Sequence, residues 1–324
     1  MTLTLSCAFA TSLQSHEHAR VAEELGYARA FFYDSPALYP DVWVQLCRAA
    51  ERTERIGLGP GVLIPSLRHP LVTASAIGTL VALAGRERVI VGVGSGFTGR
   101  LAMGQRPLRW SYVSRYVKAV KALLSGDEVE WDGAMIKMLH PAGFAPPRPI
   151  QVPFIFGAAG AKGAGVAREI GDGVFGAPVP VPGFDWSVVL MFGTVLDKEE
   201  DPGSERVMAA AGHAGGVLLH WAVEHNQLDL VPNGADWEAA YHDVPSRSRH
   251  LALHSGHLVE INRHDRPFIT GELLVATGAA MSPQGLRDRL AAAEAAGATE
   301  VAYQPAGPDI PRELEAFAEA ARGS

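Results

Sequence analysis

The sequence predicts a single (β/α)8 barrel spanning residues 1–324, and three observations carry that prediction. Short apolar runs alternate with amphipathic helical patterns at a steady spacing. The runs are continuously apolar, as strands buried on both faces are, and do not alternate with polar residues. Parallel strands need crossover connections, and the number of strand–helix units approaches eight, which favours a closed barrel over an open sheet.

Leu3 to Ala10 reads as the first buried strand. Ser15 to Leu25 follows as a helix, with Ser15 available as N-cap and Gly26 as its stop. Arg29 to Tyr33 is strand two. Asp41 to Arg55 is helix two, with Val42, Leu46, Ala49 and Ala50 at helical spacing. Ile56–Leu63 is strand three, Leu71–Ala84 helix three, Val89–Val93 strand four and Ser114–Leu124 helix four. The pattern resumes with a strand at Phe154–Phe156, a helix at Ala161–Ile170 and a strand at Gly173–Phe175. Val188–Leu196 is a further strand and Ser204–His225 a long helix. Pro283–Ala296, Glu300–Tyr303 and Pro311–Ala321 close the chain as helix, strand and helix. Two segments interrupt the pattern. Residues 128–138 read as a hairpin turning at Asp132–Gly133. An irregular insertion falls within 176–280, and its polar part, 228–269, has no clear period.

Composition narrows the function classes. The 324 residues are 48% hydrophobic and carry a net charge of -7 without a basic run, which argues against a nucleic-acid partner. No apolar stretch reaches the roughly 18 uninterrupted residues of a membrane span, the longest being broken by Gly, Pro or charge. The first residues lack the pattern of a secretion signal. The two cysteines, Cys7 and Cys47, show no metal or disulfide spacing, and the expectation is a cytoplasmic protein with reduced thiols.

In such a barrel the site lies at the C-terminal ends of the strands. Here those ends read Asp34-Ser35-Pro36 after strand two, Gly61-Val62-Leu63-Ile64-Pro65 after strand three, Gly94-Ser95-Gly96 after strand four and Gly157-Ala158-Ala159-Gly160 after strand five. Glycine admits a ligand close to the backbone and leaves amides free to donate. Gly160 leads into a helix, so the 157–160 segment is either a phosphate site at a helix N-terminus or a tight turn with no ligand. Gly92-Val-Gly-Ser-Gly96 lacks the third glycine and the later acidic residue of a dinucleotide fingerprint.

Leu58 to Pro70, Val89 to Gly96, Pro153 to Phe175 and Ser282 to Leu314 together resemble the bacterial luciferase-like flavin and deazaflavin oxidoreductases, in order and spacing. The resemblance implies a (β/α)8 barrel, commonly a homodimer, with a flavin or 5-deazaflavin across the strand ends. It places Gly61, Val62, Leu63, Ile64, Gly94, Ser95, Gly96, Gly157, Ala158, Ala159 and Gly160 around the cofactor. It further implies a non-prolyl cis peptide at Gly61–Val62. The length is closer to members using coenzyme F420, such as methylenetetrahydromethanopterin reductase, than to the longer FMN-dependent monooxygenases. The expected reaction is therefore hydride transfer between F420 and a small organic substrate. The alternatives are an FMN monooxygenase served by a separate reductase, or a cofactor-binding barrel without turnover. Sugar-phosphate dehydrogenases of the family carry a His and a Glu where this chain has Ser35 and Phe97, which points away from alcohol oxidation.

Asp34 is the candidate catalytic group, orienting the cofactor or carrying a proton; equally it can cap the Ser35-Pro36 turn. Tyr39, Trp110, His254 and His257 are candidate substrate-pocket residues. His254 and His257 sit three apart, so on a helix they would share a face. With no third ligand at a recognised spacing, no metal is expected, and structural histidines are the competing reading.

Overall fold

The structure is a computed structural model that describes residues 3–323. Its first half runs β1 (Thr4–Phe9), α1 (Ser15–Glu24), β2 (Arg29–Phe32), α2 (Val42–Ala50), β3 (Gly57–Pro60), α3 (Pro70–Ala84) and β4 (Val91–Gly94). Next come α4 (Phe97–Leu101), α5 (Trp110–Ser125), the hairpin β5 (Val129–Trp131) and β6 (Ala134–Ile136), then β7 (Phe154–Gly157), α6 (Ala161–Ile170), β8 (Gly173–Gly176) and β9 (Ser187–Phe192). After β10 (Thr194–Val195) the chain leaves the barrel through α7 (Glu205–His225), α8 (Gly234–Ala239), α9 (Arg249–Leu253) and α10 (Gly271–Ala276). It returns through β11 (Ala280–Met281), α11 (Pro283–Ala295), β12 (Glu300–Gln304) and α12 (Ile310–Arg322).

Eight parallel strands stand in the order β3-β2-β1-β12-β9-β8-β7-β4. Parallel bridges Leu58–Val89 and Leu63–Val93 join the two ends, so the barrel closes. Between those bridges β3 advances five residues where the β4 side advances four. That extra residue is a bulge, which lies at the C-terminal end of β3. Leu63 N donates to the Gly92 carbonyl at 2.7 Å, and Gly94 N donates to the Leu63 carbonyl at 3.0 Å. The Gly61–Val62 peptide within the bulge is cis, as the family resemblance implies.

Ala8, Phe31, Ile90, Ile155, Phe175, Val188, Leu190 and Ala302 fill the interior. A larger apolar layer packs the helices on the outside, where Leu46, Ile77, Val117, Leu286, Leu290 and Phe317 are fully buried. The insertion has its own core around Trp237, Tyr241 and Leu274.

Local structure departs from the sequence expectation at four places. Strand three is regular only to Pro60, because the bulge follows. Helix four starts at Trp110 and not at Ser114; Arg109 precedes it with extended backbone and no capping side chain, so the sequence carries no start signal. The expected strand Val188–Leu196 is split at Gly193, whose φ of 118° breaks the ladder into β9 and β10. The 228–269 segment is a chain of short helical turns. The hairpin forms as expected: Asp132 and Gly133 adopt positive φ, the twist that a two-residue turn between antiparallel strands favours.

Candidate active site

The bulge after β3 dictates the residues around it. Val62 points between the ends of β4 and β7. A Cβ added at Gly94 would lie 2.6 Å from Val62 Cγ2, and one at Gly157 would lie 3.0 Å from Val62 Cγ1. These two glycines therefore make room for Val62, where the sequence suggested a backbone left bare for a ligand. Gly61 is glycine because Phe31 Cβ would stand 2.7 Å from its Cβ. Gly96 has φ of 78°, and a side chain there would meet Ile64 Cγ2 at 2.7 Å. Leu63 and Ile64 are buried, while Val62, Ser95 and Gly157 keep partial exposure along one crescent of the mouth.

Asp34 braces that crescent. Its carboxylate is buried and accepts from Ile64 N at 3.1 Å and from Arg68 Nη1 at 2.7 and 2.9 Å. Arg68 also donates to Asp41, and its carbonyl accepts from Tyr116 Oη. Burial pushes the Asp34 carboxyl above its ordinary value, and the Arg68 charge and hydrogen bonds and the Ile64 amide oppose the rise. Both oxygens are engaged, so this geometry holds Asp34 as an anchor for the β3 end. It is not the turn cap that the Ser35-Pro36 sequence suggested.

At the far end of the crescent, β7 runs through Gly157 and buried Ala158 to exposed Ala159 and Gly160. Gly160 is the extended N-cap of α6 and contributes no capping side chain. The first intrahelical bond is Ala164 N to the Gly160 carbonyl at 3.0 Å, so the amides of residues 161–163 lie ahead of the hydrogen-bonded ladder. A Cβ at Gly160 would meet nothing within 4 Å. Lys162 is exposed in this first turn. The arrangement suits an anion: free amides, the positive end of a helix dipole and a cation. Trp110 lies beside it and not over the barrel axis. A Cβ at Gly163 would touch the Trp110 ring at 2.5 Å, and the indole packs with the outer apolar layer. The pocket role expected of Trp110 has no support in this position, because α5 begins early enough to carry it outward.

The insertion covers the opposite side of the mouth. Leu258 packs with the barrel interior, Tyr39 Oη donates to the His257 carbonyl at 2.6 Å, and Gln304 Nε2 donates to the Leu258 carbonyl at 2.9 Å. His254 and His257 are both buried, and α7 brings His220 to them. Burial, reinforced by neighbouring imidazoles, lowers His254 to about 4 and His257 well below its ordinary value. His257 Nε2 stands 3.4 Å from Thr98 Oγ1 on α4, the helix that follows the β4 glycines. Arg68, Thr98, His220 and Asp265 were not singled out from sequence. Arg68 and His220 act on Asp34 and His257, 34 and 37 residues away, separations that carry no local pattern.

Comparison with known proteins agrees with this architecture. A 5,10-methylenetetrahydromethanopterin reductase of Methanolobus tindarius is 34% identical over 171 residues, 50% of this chain and 49% of that protein. An F420-dependent glucose-6-phosphate dehydrogenase of Beutenbergia cavernae is 33% identical over 174 residues, 47% of this chain and 49% of that protein. The chain thus spans about half the length of the curated relatives it matches. The solved F420-dependent tetrahydromethanopterin reductase from Methanopyrus kandleri superposes with a TM-score of 0.65 at 19% identity, covering 98% of this chain and 99% of that one, which shows a shared fold. Residues 13–300 match the family described as luciferase-like monooxygenase, and the chain belongs to that family.

Proposed function

We propose that this chain is an F420-dependent oxidoreductase, working as one barrel domain, that moves a hydride between the deazaflavin and a small organic substrate. The observation that carries the proposal is the continuous crescent from the Val62 bulge, past Gly94, Ser95 and Gly157, to the open helix start at Gly160. A planar ring with a phosphate-bearing tail matches that layout. The ring would lie against Val62 and the strand ends, and the phosphate would sit on the amides of residues 161–163 beside Lys162. The names of the two relatives above support F420 over FMN.

The bound deazaflavin supplies the hydride-carrying carbon. The chain positions it: Asp34 fixes Ile64 and Arg68, and these fix the bulge. Asp34 is thus a positioning residue in this proposal and not a proton carrier. Ser35 and Phe97 offer no general base, and Phe97 stacks on His225 with ring centroids 6.1 Å apart. A reaction dominated by alignment of two hydride partners, such as reduction of an activated C=C or C=N bond, needs no such base. Tyr39, whose hydroxyl holds the His257 carbonyl, and His257 itself would border the substrate where the insertion meets the barrel.

The test is titration of the purified chain with F420 and, separately, with FMN, read by quenching of cofactor fluorescence. Saturable F420 binding, with FMN at least tenfold weaker, is expected. Binding of FMN alone would transfer the assignment to the monooxygenase chemistry, and binding of neither would leave a barrel without this cofactor.

A further inference from the structure

We propose that His220, His254 and His257 form a binding site for one divalent transition metal of the zinc class, placed where the insertion meets the barrel mouth. Each offers a ring nitrogen, and the three nitrogens lie within 4.8 Å of one another. The Nδ1 atoms of His220 and His257 are 3.2 Å apart. Two nitrogens bound to one tetrahedral zinc at about 2.0 Å lie about 3.3 Å apart, so the pair already has the spacing of a shared metal. His254 Nδ1 is buried with no hydrogen-bond partner. An orphaned nitrogen on a His254 ring that is itself 2% exposed and beside two other imidazoles is unfavourable unless something accepts its lone pair or its proton.

The surroundings match a metal-binding histidine. His220 Nε2, on the far side of the ring from Nδ1, lies 3.7 Å from Asp265 Oδ2, within ion-pair reach but just beyond a hydrogen bond, and has no other partner among the described residues. A carboxylate behind a ligating imidazole fixes its tautomer and raises its basicity. Asp265 is itself buried and held by Trp237 Nε1 at 2.8 Å, Tyr241 Oη at 2.5 Å and Asn262 Nδ2 at 2.8 Å. Among the described residues it has no Lys or Arg ion-pair partner, so a cation across His220 would compensate a buried negative charge. Gly216 keeps the path open, since a Cβ there would lie 2.7 Å from Asp265 Oδ2. Three neutral imidazoles with no oxygen ligand select zinc, cobalt, nickel or copper over calcium and magnesium. Three protein ligands leave a fourth position for water. The metal would tie α7 to the 254–257 turn and so clamp the insertion over the mouth.

The site is independent of the F420 proposal, and its test reads metal and not turnover. Full-length protein is dialysed against micromolar ZnSO4, desalted and analysed by atomic emission. About one zinc per chain is expected, with His220→Gln and His254→Gln each reducing it at least tenfold while far-UV circular dichroism is unchanged. Asp265→Asn should weaken retention ten- to a hundredfold. Exchange with CoCl2 should give the intense visible bands of a tetrahedral nitrogen-rich centre. Wild type that retains no zinc overturns the proposal whether or not the variants fold, and leaves the His220–His257 contact as an N–H···N hydrogen bond. Equal retention by wild type and both glutamine variants overturns it as well.

Discussion

Gly160→Asp separates a ligand site from a plain turn. Gly160 has extended backbone and open space where a side chain would go, so the substitution introduces no clash. An aspartate at a helix N-cap accepts from the second or third amide of the helix, here Lys162 or Gly163. Relative to glycine that stabilises the helix by only a few tenths of a kcal/mol. Folding stability should therefore hold or rise slightly. Cofactor binding should respond in the opposite direction. The new carboxylate takes amides that the phosphate would use and sets like charges about 5 Å apart, which costs about 0.8 kcal/mol in water and about 3 kcal/mol at an effective dielectric of 20. The dissociation constant for F420 should rise roughly ten- to a hundredfold. Fluorescence titration gives the affinity, and a thermal melt gives the stability. Gly160→Asn competes for the same amides without the charge and should lose less affinity than the aspartate. Unchanged affinity in Gly160→Asp would refute the phosphate placement. Equal losses in the two variants would refute its electrostatic basis.

Three further outcomes follow from the same geometry. Gly94→Ala pushes against Val62 Cγ2 and should weaken cofactor binding; adding Val62→Ala should restore much of the loss, and strict additivity of the two would show that they do not touch. Glu200 is hydrogen-bonded by Arg206, which lowers its carboxyl to about 2. A depressed folded value contributes stability that is present above the unfolded value of about 4.5 and fades as pH falls toward 2. Glu200→Gln should thus lose about 2 kcal/mol at neutral pH, a figure discounted for partial exposure, and the gap should narrow below pH about 4.5 in urea unfolding series; a pH-independent gap would contradict the assignment. Val44 on α2, Val72 and Leu83 on α3, and the nearby Met135 and Leu139 are exposed apolar side chains, which suits a homodimer through the first half of the barrel. Light scattering at micromolar concentration should exceed the 34.4 kDa chain mass, and a clean monomer would remove the dimer.

The barrel was legible because its signals are local. Each strand is a short apolar run, each crossover carries its own helical period, and Asp132-Gly133 announces its turn within two residues. The same locality exposed the glycine-rich strand ends. Their sequence could not say what the glycines admit: Gly94 and Gly157 border Val62, a residue from another strand, and only the closed barrel shows it. Trp110 follows strand four in sequence, and with no capping residue at Arg109 nothing local shows that it already belongs to α5. The insertion was illegible for the opposite reason. Its turns are held by long-range contacts such as Trp237 to Asp265, and no period survives in the 228–269 segment.

The mouth therefore divides into two halves of different origin. On the β3–β4–β7 side, backbone and small residues leave a shallow crescent whose shape is set by one bulge and secured by Asp34. On the β1–β2–β12 side, Tyr39 and Gln304 of the barrel hold the His257 and Leu258 carbonyls of the insertion, which also reaches α4 through His257–Thr98 and His225–Phe97. A flat cofactor suits the first half, which offers backbone donors and almost no reactive side chains. On the proposed function, discrimination between substrates falls to the second half, where burial lowers His254 to about 4 and His257 well below its ordinary value. Uncharged imidazoles can accept a hydrogen bond, or coordinate a metal, without first giving up a proton. Differences in substrate choice between this chain and its relatives should therefore be sought in the insertion, and differences in cofactor at the crescent.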